Sequence, residues 1–161
     1  MENQNKNSLT GSLEDGDQGL KLGILPTLVG RQLRIAQLLA FKEFSMEVGG
    51  VSLTPGSFEI LELLEHNPGL GQTRLAAAIG LEKSSFVPAI VRLEDLGLIT
   101  RKQSGSDKRA NELTITAKGR KVLKDLRGYI IGRDAQITQG MSAADIRELN
   151  RLLKRVASVN A

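Results

Sequence analysis

The chain has 161 residues, 40% of them hydrophobic and only 3% aromatic with no Trp, enough for one compact domain with appended helices around an aliphatic core. The absence of Cys excludes disulfides, thiolate metal sites, a thiol nucleophile and a thiol redox sensor, and the single His66 excludes a multi-histidine metal site within one protomer. Net charge is +4, but residues 1–19 set Lys6 against Glu2, Glu14, Asp15 and Asp17, a net of −3 that leaves +7 on the remainder; either a polyanionic partner or a plain solvated surface answers to such a body.

Residues 1–19 are polar and rich in Gly, Asn and Ser, which predicts a disordered arm. They show no basic-then-apolar order, and no run in the chain approaches the roughly 20 apolar residues of a membrane span, so the expected location is the cytoplasm, with no membrane contact. From Leu20 to about Met46, Leu28, Leu33, Ala36, Leu39 and Phe44 recur at helical spacing, and Pro26 either starts this first helix or kinks it. A second helix follows, with Thr54 as N-cap, Pro55 at the first helical position and Asn67-Pro68-Gly69 as its stop. The short QTRLAAAI predicts a third helix ending at Gly80, and EKSSFVPAIVRLEDL a fourth ending at Gly97. On the fourth, Phe86, Ala89, Ile90, Leu93 and Leu96 share one side, while Ser84, Pro88 and Arg92 fall towards the other.

Leu98–Lys102 and Asn111–Thr116 predict a hairpin with Leu113 and Ile115 turned inward. Thr116 is placed to cap a fifth helix striped by Val122, Leu123, Leu126, Tyr129 and Ile130, and Ser142 opens a sixth carrying Ile146, Leu149, Leu152, Leu153, Val156 and Val159. The expected architecture is mainly α with a small β-hairpin wing, a winged helix-turn-helix domain whose flanking helices form a dimerisation region. Its expected divisions are a disordered arm (1–19), an N-terminal dimerisation helix (20–50), the winged helix-turn-helix domain (51–117) and C-terminal dimerisation helices (118–161). Dimerisation is expected because the terminal stripes have no place in so small a core, and large apolar patches are rarely left bare.

Helix-turn-helix patterning gives the basic hairpin a use. A helix entering the major groove reads base edges with its N-terminal residues, here Glu82-Lys83-Ser84-Ser85, and a hairpin beside it reaches a neighbouring minor groove. The wing offers Arg101, Lys102, Lys108 and Arg109 as cations, and Asp107 among them suits a carboxylate that aims a guanidinium. An ordinary solvated loop is the alternative on composition alone.

The segments LTPGSFEIL, LAAAIGLEKSSF, RLEDLGLITR, DKR and LTITAKG, in that order between Leu53 and about Leu126, resemble the MarR family of bacterial winged-helix regulators. The resemblance implies a homodimer that binds a pseudo-palindromic double-stranded operator as a repressor and is relieved by a small ligand. By position it implies that Ser84, Ser85, Val87, Pro88 and Arg92 face the groove, that Arg109 enters the minor groove braced by Asp107, and that Arg101 sits at the base of the wing. The chain departs from the family at Val87 and Pro88, where polar or basic residues are common. Pro88 removes the hydrogen bond to the Ser84 carbonyl and is expected to bend the helix or shift base preference, with thymine methyls as candidate contacts. Gly71 stands where a Ser or Thr cap is common before the third helix, and serves nearly as well.

For an effector, Arg31, Arg34, Leu38, Phe41 and Ser45 share a face of the first helix, and Phe58, Glu62 and His66 a face of the second. Such groups suit an aromatic or acyl carboxylate or its coenzyme A thioester. Equally, Leu38, Phe41 and Phe58 are read as core, the arginines as solvated or paired, and His66 as a helix-end residue. No cofactor or metal is expected, and no nucleophile–base pair stands at a recognisable spacing, which argues against an enzyme. The competing expectation is a winged-helix interaction module that docks an acidic protein partner without sequence-specific DNA binding.

Overall fold

A computed structural model describes residues 20–42, 44, 46–48, 50–80, 83–103 and 111–158. Two compact units divide the chain after Lys42. In the first, a short 3-10 turn at Leu25–Thr27 holds Pro26 and leads to helix α1, Val29–Phe41. The predicted run of helix to Met46 is too long. The chain instead leaves the helix at Lys42 and enters a small antiparallel hairpin, β1 (Met46–Val48) with β2 (Val51–Leu53), in which Val48 faces Val51. Physical cause lies in MEVGGVSL: β-branched valines on either side of a Gly pair favour a tight turn over continued helix, and Gly50 takes a φ of 76°.

The second unit contains the helix-turn-helix. Helix α2, Pro55–His66, begins as expected, with the Thr54 hydroxyl accepting from the Ser57 amide at 3.2 Å while the Thr54 amide donates to the Ser57 hydroxyl at 3.3 Å. That reciprocal pair satisfies amides that the helix itself leaves unbonded. Asn67 ends it. Leu70–Gly71 then forms a short strand, β3, before helix α3 (Gln72–Ile79), which closes on left-handed Gly80. Helix α4 runs from Lys83 to Asp95, and β4 (Ile99–Gln103) pairs antiparallel with β5 (Asn111–Ile115). The sheet has three strands in the order β3-β5-β4, one more than the hairpin expected from sequence. Two residues of β3 carry too little pattern to announce a strand; Leu70 gains its pairing only because folding brings Leu113 opposite.

Helix α5, Ala117–Ile137, is capped by Thr116, whose hydroxyl accepts from the Gly119 amide at 2.9 Å. Helix α6, Ala143–Ser158, opens on a second reciprocal cap: the Asp145 amide donates to the Ser142 hydroxyl at 3.2 Å and the Ser142 amide to the Asp145 carboxylate at 2.9 Å. The Ser142 hydroxyl also donates to the Asp145 carboxylate at 2.7 Å, and this bond first, then the one from the Ser142 amide, holds the carboxyl below its ordinary range. The core is aliphatic apart from Phe86: Ile60, Leu61 and Leu64 of α2, Leu75 of α3, Ile90 and Leu93 of α4, Leu113 and Ile115 of β5, and Leu123 and Leu126 of α5 are all buried. No helix among the described residues is long and apolar enough to cross a membrane.

Candidate nucleic-acid interface

Helix α4 is held by its inner face. Phe86, Ile90 and Leu93 are buried, with Ala89 and Leu96 packed against the same core, as the stripe predicted. Ser84, Ser85, Val87, Pro88 and Arg92 are all exposed. Pro88 lies inside α4, yet helix continues through it to Asp95. Ser84 and Pro88 are both on the exposed side, so water reaches the turn where the proline removes a backbone bond.

The C-terminal end of α4 is fixed by several independent bonds. Leu98 donates its amide to the Leu93 carbonyl at 2.9 Å, and Gly97 turns the chain with a φ of 67°. From α5, the Thr116 hydroxyl donates to the Gly97 carbonyl at 2.8 Å and the Lys118 ammonium to the Leu96 carbonyl at 2.7 Å. Recognition-type helix, wing and long helix therefore meet at one rigid corner.

The wing joins that corner through Arg101. Its Nε donates to Glu94 Oε1 at 3.1 Å and its Nη2 to the other carboxylate oxygen, a bidentate pair between β4 and α4. Expected to stand at the base of the wing, Arg101 is thus engaged with Glu94, a residue the sequence reading did not single out. Seven positions separate them, and only the return of β4 against α4 makes them neighbours. Lys102 is exposed on the same strand. Asp107, Lys108 and Arg109, the predicted tip, lie outside the described residues, as do Glu82 and Ser45. Between the start of α2 and α4 lies a groove of about 370 Å³ lined by Thr54, Gly56, Ser57, Ser85, Pro88, Ala89 and Arg92.

The proposed effector residues fall in both units. On α1, Leu38 and Phe41 are 57% and 49% exposed, and Arg34 is exposed beside a half-buried Arg31. On α2, Phe58 packs against the core. His66 sits 3.2 Å from Glu62 and 3.4 Å from Arg127, and Arg127 Nε donates to Glu62 at 2.7 Å. Glu62 is held below the ordinary carboxylate range, first by the hydrogen bond from Arg127. A second bond, Arg120 Nε to Glu65 at 2.8 Å, runs parallel to it, so α2 and α5 are laced by two ion pairs. Partners 55 and 65 residues apart leave no local trace in the sequence.

Against known proteins, the profile of the MarR family matches residues 53–110. A Thauera aromatica protein described as a candidate regulator of the hcr operon is 33% identical over 129 residues, covering 80% of this chain and 78% of the relative. An HTH-type transcriptional repressor of Mycobacterium tuberculosis is 30% identical over 137 residues, covering 85% of this chain and 94% of the relative. Among solved structures, the transcriptional repressor CouR bound to a 23-mer DNA duplex superposes with a TM-score of 0.73 at 36% identity, over 88% of this chain and 99% of that one. The same repressor bound to p-coumaroyl-CoA gives a TM-score of 0.73 at 33% identity, over 86% and 97% of the two chains.

Proposed function

This chain belongs to the MarR family of transcriptional regulators, and from that premise we propose that it is a cytoplasmic homodimeric repressor of a pseudo-palindromic operator, released by an aromatic or acyl carboxylate or its coenzyme A thioester. The observation that carries the DNA half is the free outer face of α4, held rigidly by its inner face and its C-terminal corner beside a basic wing strand. A dimer presents two such helices to successive major grooves about one helical turn apart. Ser84, Ser85, Val87, Pro88 and Arg92 face the bases and nearby phosphates, Lys102 and Lys108 the backbone, and Arg109 the minor groove with Asp107 as its brace. Arg101 acts through Glu94, setting the angle between wing and helix.

The effector half draws on CouR, whose structure with p-coumaroyl-CoA is similar to this one. Arg31, Arg34, Leu38, Phe41, Phe58 and His66 are the proposed ligand contacts, with cations for a carboxylate or for coenzyme phosphates and apolar groups for the ring. The ligand acts by population shift, favouring a dimer whose two α4 helices are mis-spaced for successive grooves. The experiment is operator binding by fluorescence anisotropy on fragments upstream of the chain's own gene, with random duplex as competitor. Arg109→Ala is expected to weaken operator binding by about tenfold or more with the dimer intact, one tenfold step being about 1.4 kcal/mol. Aromatic acids and aryl-coenzyme A thioesters are then titrated against the complex. Equal affinity for operator and random duplex would replace this proposal with an interaction module for an acidic partner, and failure of every acid and thioester to release DNA would sink the effector class alone.

A further inference from the structure

The outer face of α4 has an unusual chemistry for a helix that reads base edges. With Phe86, Ile90 and Leu93 buried, a rotation of 100° per residue places Ser84, Pro88, Val91 and Asp95 along the ridge farthest from the core. Val91 is 45% exposed and Val87 beside it 37% exposed. The middle of the ridge is therefore hydrocarbon: Pro88, Val91 and Val87 together, with polar Ser84 and Asp95 only at its ends. Ser85 and Arg92 flank it on one side and supply the hydrogen-bonding groups. Among the described residues nothing covers this strip, and Arg92 beside it carries charge that draws it towards phosphates.

A hydrocarbon strip pressed into the major groove faces base edges that offer acceptors and amino donors at every pair except for one apolar group, the C5-methyl of thymine. Setting Pro88 and Val91 against an amino group or a guanine oxygen would strip water from a polar atom without replacing its bond. Setting them against a methyl removes apolar surface from water on both sides. On the basis of the DNA-reading function proposed above, we infer that Pro88, Val91 and Val87 form an apolar reading strip that selects thymine at the centre of each operator half-site through its C5-methyl. Arg92 and Ser85 then read or anchor the flanking positions. The proline adds rigidity, because its ring lacks the rotamers that an exposed long side chain would lose on docking.

The test uses the full-length protein and needs no protein variant at its first step. Preferred duplexes are selected from a random pool, and each thymine of the selected half-sites is replaced singly by deoxyuridine, which pairs identically and lacks only the methyl. At one or two adjacent positions per half-site, affinity should fall about threefold to fivefold per methyl removed, the scale expected for one buried carbon. Replacement at both half-sites should give about tenfold or more, and thymines elsewhere should tolerate the change. In a second step, Val91→Ala and Pro88→Ala should bind thymine and uracil duplexes with a smaller difference than the parent protein does, while thermal unfolding confirms that each is folded. Sequence-preferring binding with no sensitivity to deoxyuridine at any half-site position would overturn the apolar strip and leave the regulator standing. Undiminished sensitivity in both variants would overturn the assignment to these residues. Absence of any preferred duplex would overturn the regulator and the strip together.

Discussion

At the scale of single residues, Gly119 shows how closely the DNA-reading corner is packed. It is buried in the first turn of α5, and a Cβ built there would collide with the Leu98 carbonyl oxygen and with Ile115 Cγ1. The oxygen belongs to backbone that also accepts from the Thr116 amide at 2.9 Å, so it has no flexible end to move aside. Gly119→Ala is accordingly expected to cost about 1–3 kcal/mol in chemical unfolding, the usual penalty of overpacking, and to loosen operator binding because the shift reaches Leu98 at the start of the wing. An unfolding midpoint equal to that of the parent would mean that α5 can lift from the wing freely. Thr116 is the complementary case: one hydroxyl caps α5 and grips the turn after α4. A sequence reading finds its capping role, because Thr before a helical stripe is a local signal. Its bond to Gly97 spans 19 positions and carries none.

At the scale of elements, α2 and α5 are joined by the Glu62–Arg127 and Glu65–Arg120 pairs in addition to their apolar packing. Both pairs are partly exposed, so each adds little to overall stability, but together they fix the sliding register of two helices. Glu62 has its carboxyl pKa depressed by Arg127. A depressed carboxylate pKa means that the unfolded chain binds more protons as pH falls, so the stabilisation is complete above the ordinary glutamate value of about 4.3 and is lost as pH drops through the lower folded value. The stability difference between the parent protein and Glu62→Gln should therefore be constant from neutral pH down to about pH 5 and shrink below about pH 4. Urea unfolding at a series of pH values checks this, and a difference that grows on acidification would contradict the assigned pairing. His66, 66% exposed at its side chain, lies at the edge of the same cluster and is engaged by Glu62 rather than standing free.

At the scale of the whole molecule, helix α6 buries none of its residues among those described, and Leu149, Leu152, Leu153 and Val156 form on it an apolar stripe that is 40–43% exposed. In the homodimer proposed above, a second copy of the chain would cover such a stripe. Leu149→Asp should yield a monomer by sedimentation and, with only one α4 helix available per particle, should lose operator binding while the second unit stays folded. A dimer that survives this change would move the interface off α6. The basic body gives a further expectation: affinity should fall steeply with salt, with a log–log slope of about −0.9 for each phosphate neutralised on duplex DNA.

The sequence by itself determined the order of the helices, the caps at Thr54 and Thr116, the stops at Asn67 and Gly97, and the buried stripe of α4, because caps, turns and periodicity act over a few residues. The outward position of Ser84, Pro88 and Arg92 followed from the same periodicity, and that of Ser85 and Val87 from the family resemblance. Only the tertiary structure decided that Arg101 closes on Glu94, that Arg127 and Arg120 lace α5 to α2, that Leu70 supplies a third strand, and that α1 stops at Phe41 in favour of a hairpin. Those outcomes depend on which surfaces meet once the chain has condensed, and a contact between residues far apart in sequence leaves no pattern in either of its neighbourhoods.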